Sequence, residues 1–147
     1  MQKLKLLLIA FGFFWIFAWS VFGSILGAKI NLILATGANS SWLVGVQKNL
    51  LAAAHAHMNS MSIILILLAL SLNQIKGFVS NRIIKIICLT NLISMPLFGM
   101  GLLFEAFYPS ASGSLSIFTA VAALGAILYM LTIGIWSSFF IVSYTRL

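Results

Sequence analysis

Both histidines of the sequence fall in one short tract, Ala54-His55-Ala56-His57-Met58-Asn59-Ser60-Met61-Ser62, inside an otherwise apolar run. A neutral imidazole carries one nitrogen lone pair and one N–H, so it ligates metals, bonds partners or moves protons near neutral pH. At about 100° per residue, His55, Asn59 and Ser62 share one face of a helix, while His57, Ser60 and Met61 share another. The two imidazoles then stand about 200° apart, too far round to grip one ion as the i, i+4 pair of HExxH does. They address two different neighbours instead. One can ligate a cofactor while the other bonds a partner helix or subunit. Ala54 and Ala56 leave room for a flat macrocycle beside an axial imidazole, so the functional reading is that at least one histidine ligates a haem iron. The alternative is that both merely bridge helices by hydrogen bonds.

Few other residues compete for a chemical role. Glu105 is the single acid against eight Lys and Arg. Near the end of an antiparallel third helix, it could orient an imidazole, handle protons or simply reach the headgroups. The lone Cys88 excludes an intrachain disulfide and any all-cysteine metal site, and reads as packing. The sequence has no CxxCH, phosphate-binding glycine loop, zinc-ligand spacing or serine-nucleophile elbow.

The elements that must position these residues follow from composition. Of 147 residues, 63% are hydrophobic and 6% charged, whereas soluble domains carry about 25% charged residues. Lipid is therefore the expected solvent. Four apolar runs, approximately 6–27, 50–72, 83–107 and 115–142, each meet the requirement of about 20 residues for crossing a bilayer core. Helices are expected because each satisfies its own backbone in lipid. The fold class is thus an all-α, polytopic four-transmembrane-helix bundle, with residues 1–147 forming a single transmembrane domain.

The first run could also serve as a signal peptide. Its length, the internal Trp15 and Trp19, and the poor cleavage context at Ile25-Leu26-Gly27-Ala28 favour a retained helix. Lys3, Lys5, Lys76, Arg82, Lys85 and Arg146 fall on one side of the membrane if the chain alternates, against Lys29 and Lys48 on the other. That bias places both termini in the cytoplasm, and the expected location is a cell inner membrane. The net charge of +7 therefore orients the chain, and no basic stripe with interleaved aromatics points to nucleic acid.

The segment 28–49 reads as the longest outer loop, its apolar 30–34 stretch lying on or dipping into the interface and Trp42 at headgroup depth. The segments 73–81 and 109–113 read as short turns. Gly23 and Gly27 form a GxxxG that allows close helix approach. Pro96 is expected to kink the third helix.

In this setting the chain resembles the styrene oxide isomerases, four-helix membrane proteins that open epoxides to aldehydes by Lewis-acid catalysis on haem b held between the subunits of a trimer. The likeness runs over most of the length. It rests on the long loop after the first helix, Ala54-His55, Asn59-Ser60-Met61, and Arg82-Ile83-Ile84 through Phe107-Tyr108-Pro109. The resemblance implies His55 as the haem-iron ligand with His57 as fallback, Asn59 as the residue contacting substrate, and a homotrimer. It also places Asn91 where the family has a helix-three Asp, and Phe98 or Gly99 where it has a catalytic Tyr. Asn91 lacks the acid's charge and neither residue 98 nor 99 has a hydroxyl.

Three functions are consistent with these residues. The first is a haem b enzyme, an isomerase acting on a small apolar substrate that arrives through membrane lipid, with catalytic Asn59 and Asn91. The second is a non-catalytic haem or electron-transfer protein. The third is a cofactor-free accessory or assembly subunit of a membrane complex.

Overall fold

Long apolar runs propagate as helices in lipid, and the computed structural model, which describes residues 1–75, 77–109 and 116–145, is built of such helices. α1 spans Gln2–Thr36, α2 Val46–Leu70, the short α3 Leu72–Ile75, α4 Asn81–Phe107 and α5 Ile117–Tyr144. A 3-10 turn at Ser40–Val44 precedes α2. All but α3 are long and apolar enough to cross a membrane. The all-α four-helix bundle expected from the sequence is therefore present. Lys76, Arg146, the 110–113 part of the expected turn and the Leu115 start of the last helix lie outside the described residues.

The main departure is α1. Its 35 residues span about 52 Å at 1.5 Å per residue, well beyond residues 6–27. The 30–34 stretch expected to lie along the interface instead forms the last turns of α1. Nothing between Ala28 and Thr36 interrupts a helix; the first residue able to stop it cheaply is Gly37. That glycine takes the left-handed conformation (φ 68°) and its N–H bonds Ile33 O, a glycine C-cap. The connection between α1 and α2 shrinks accordingly to residues 37–45. Within it the Trp42 indole donates to Gln47 Oε1, and Lys29 Nζ sits 3.9 Å from the Trp42 ring centroid. An amphipathic indole carrying a cation on its face suits the lipid–water boundary.

The other boundaries follow their caps. Ser80 accepts from Ile83 N at the start of α4, and Ser116 from Thr119 N at the start of α5, as N-cap serines do. α4 continues through Pro96.

The helices pack in the order α1–α2–α4–α5, with α2 and α4 inside. Met58, Leu65, Ile84, Met95 and Trp136 are among the side chains filling the interior. Phe13, Phe17 and Ile25 of α1 and Ile127, Met130 and Leu131 of α5 are exposed. In water so large an apolar surface would drive association; in lipid it is the solvated face. Buried hydroxyls return to their own helix, Ser62 to Met58 O at 2.6 Å and Ser94 to Asn91 O at 2.7 Å, so they cost little at membrane depth.

Close approach relies on missing side chains. A Cβ on Gly125 of α5 would lie 2.8 Å from Ser94 O and 2.9 Å from Phe98 Cα, and one on Gly101 of α4 would lie 2.6 Å from Ala122 N. At these two points α4 and α5 touch backbone to backbone.

Candidate functional site

α2 carries its polar cluster past two neighbours, and the two imidazoles leave it on different sides, as their spacing predicts. His55 turns towards α1 and is half-buried; His57 is exposed and faces α4 and α5. His55 stands nine residues after Val46, or about 14 Å along the helix. The 50–72 span expected from the sequence would put it only about 8 Å in; the residue lies deeper because α2 starts at Val46.

The His55 ring fits against Gly23, the first glycine of the GxxxG. A Cβ there would lie 2.6 Å from His55 Nδ1 and 2.7 Å from Nε2, whereas one on Gly27 would meet nothing within 4 Å. The GxxxG thus receives a side chain at one of its glycines only.

Hydrogen bonding fixes the tautomer. His55 Nδ1 is 2.8 Å from Trp19 O, and a carbonyl only accepts, so Nδ1 carries the proton and donates. Asn59 Nδ2 lies 3.3 Å from the same Nδ1, and Asn59 Oδ1 is buried with no partner. Two donors facing one another gain nothing. Turning the amide over gives the Nδ1–H a second acceptor and satisfies Oδ1, and amide orientation is properly assigned from the network in this way. Nε2 is left with its lone pair and makes no hydrogen bond among the described residues. A ring whose Nδ1–H is tied to a backbone carbonyl is held ready to ligate through Nε2.

His57 is arranged differently. Its ring meets the edge of Phe98 at 5.5 Å and 81°, and neither nitrogen is hydrogen-bonded among the described residues. It borders a groove of about 270 Å³ with Met61, Phe98, Ala126, Tyr129 and Met130. Tyr129 supplies a hydroxyl beside Phe98 that the sequence alone did not single out. Its only signal was a phenol in the middle of the apolar α5, whose other tyrosine, Tyr144, ends the helix. A larger cleft of about 680 Å³, lined by residues such as Pro96, Phe104 and Phe118, is wholly apolar and holds no side chain capable of chemistry.

The remaining candidates lie apart from the histidines. Asn91 is buried between α4 and α5, where Nδ2 donates to Thr132 Oγ1 at 3.0 Å and Thr132 in turn donates to Tyr129 O at 2.7 Å. It clamps two helices and meets no open space. Asn91→Ala is expected to lower bundle stability by about 1–2 kcal/mol, from lost packing and an interhelical bond worth ~0.6 kcal/mol. Thermal unfolding in detergent would measure this, and cofactor content should not change. Glu105 accepts a hydrogen bond from Ser116 at the N-terminus of α5, where the helix dipole favours a negative charge. The carboxylate thus serves a helix start, not an imidazole.

Among the described residues no three His, Cys, Asp or Glu side chains gather to hold a bare metal ion. A porphyrin iron needs only one axial side chain from the protein, and a neutral imidazole with its Nδ1–H held, as in His55, has the chemistry of such a side chain. No protein-family model, curated protein or solved structure matches the chain.

Proposed function

We propose that this chain is a multi-pass inner-membrane haem b protein in which His55 Nε2 is the axial ligand. The supporting observation is the Trp19 carbonyl holding His55 Nδ1–H, which leaves the opposite nitrogen free at membrane depth. Asn59 steadies the same N–H from the other side, and Gly23 gives the ring its seat. When bound, the haem supplies a Lewis-acidic iron. The protein's own residues orient the imidazole and exclude water from its surroundings.

The activity that agrees with the sequence resemblance is isomerisation of a small apolar epoxide to an aldehyde, with Asn59 as the substrate-contacting residue that the resemblance implies. Asn91 has a packing role in this account. The catalytic and purely electron-transferring readings separate on turnover. Styrene oxide incubated with membranes of the expressing cells gives phenylacetaldehyde by gas chromatography if the chain is an isomerase. Unchanged epoxide from haem-replete protein counts against the isomerase. Porphyrin quantified per chain tests the shared premise, with one haem per ligand histidine expected and none contradicting it.

The same reading places both termini in the cytoplasm and copies of the chain around the cofactor as a trimer, as the charge bias and the resemblance suggest. Cysteines introduced near Gln2 and at Ser41 report the orientation. A membrane-impermeant maleimide applied to intact spheroplasts should label only the second.

A further inference from the structure

We propose that the groove beside His57 binds the head of a lipid-soluble carbonyl compound of the quinone type, at a site separate from the His55 ligand position. His57 lies eleven residues into α2, about 17 Å along it, near the middle of the span. An imidazole at that depth is costly and marks a functional site. Neither of its nitrogens is hydrogen-bonded among the described residues, and its ring packs edge-to-face with Phe98.

Tyr129 of α5 lines the same groove, and its hydroxyl is buried without a partner. A buried phenol normally finds one. Two helices therefore bring two unused donors to the walls of one cavity, the imidazole N–H at its exposed edge and the phenol O–H just beneath its surface, where a small shift of the Tyr129 ring would uncover it. Its other walls, Met61, Phe98, Ala126 and Met130, are apolar. What complements this set is a flat apolar ring with hydrogen-bond-accepting oxygens and a tail that stays in lipid. Two carbonyls across a ring match two donors from different helices better than a lone ether or ester oxygen does. Met61 and Met130 adapt to the shape of such a ring. The volume of about 270 Å³ is close to the lower end of the ~300–1,000 Å³ range of small-molecule sites, which suits a head group alone. Exposed His57 and Met130 leave the entrance on the lipid side.

The test uses the full chain in lipid nanodiscs with a tailed azidoquinone as photoprobe, the adducts being mapped by mass spectrometry. Labelling is expected on α2 and α5 around the groove, competed by decylubiquinone and not by decane. Tyr129→Phe keeps the ring and the packing and should weaken competition about tenfold, equivalent to ~1.4 kcal/mol. His57→Ala should weaken it at least as much, and His55→Ala should leave it unchanged, so this site and the haem reading fail independently. Adducts spread over the exposed faces of α1 and α5, or indifferent to both groove variants, would overturn the proposal. So would a His57→Ala protein that loses its oligomeric state on light scattering while its labelling is unaltered; that result assigns His57 to a second copy of the chain.

Discussion

His55→Ala protein, purified in parallel with the parent, is expected to retain less than about a tenth of the parent's haem. Losing an outer-shell partner of a ligand typically costs 10–100-fold in affinity, and losing the ligand itself costs at least as much. Free imidazole added during purification should restore part of the colour, because it fills the space left by the side chain. A gross folding defect would not be rescued in this way. Gly23→Val acts on the same atom from the other helix. A Cβ at residue 23 overlaps the His55 ring, 2.6 Å from Nδ1 and 2.7 Å from Nε2, so the ring must leave the Trp19 carbonyl. Its haem content should fall about 10–100-fold. Gly27→Ala, one turn away and open to space, should keep full occupancy. Equal haem in Gly23→Val and the parent would mean that the seat of His55 is irrelevant to the ligand.

The second large effect concerns the scaffold. Gly125→Ala is expected to lower the melting temperature in detergent by about 5–10 °C, corresponding to the ~1–3 kcal/mol of an overpacked contact. The cost is high for one methyl because the atoms it meets, Ser94 O and Phe98 Cα, belong to the backbone of α4 and cannot swing aside. Gly125→Leu should prevent α4 and α5 from docking and yield little folded protein. Gly134→Ala on the same helix meets nothing within 4 Å and is expected to stay within about 0.5 kcal/mol of the parent. Differential scanning fluorimetry of the three variants checks the pattern. A Gly125→Ala protein melting with the parent would show that the two helices are farther apart.

These two effects also mark what the sequence could and could not convey. Hydropathy revealed four spans because lipid forces each apolar run to close its own hydrogen bonds. The end of α1 was misplaced because residues 30–34 are equally apolar along an interface or in a helix, and only the left-handed Gly37 decides between them. The divergence of His55 and His57 was legible, being a matter of helical period alone. The Trp19 carbonyl was not, since it comes from another helix 36 residues away. Nor was the pairing of Glu105 with Ser116, which depends on how the chain returns into α5. Asn91 stood in the sequence as a possible catalytic residue. Its burial against Thr132 appears only once α4 and α5 pack through Gly101 and Gly125.

The most direct test of the central claim is the absorption spectrum of the unmodified protein, purified from haem-replete cells, before and after dithionite. The account predicts a Soret band that shifts on reduction, together with visible bands of a b-type haem. Colourless protein without porphyrin would contradict it.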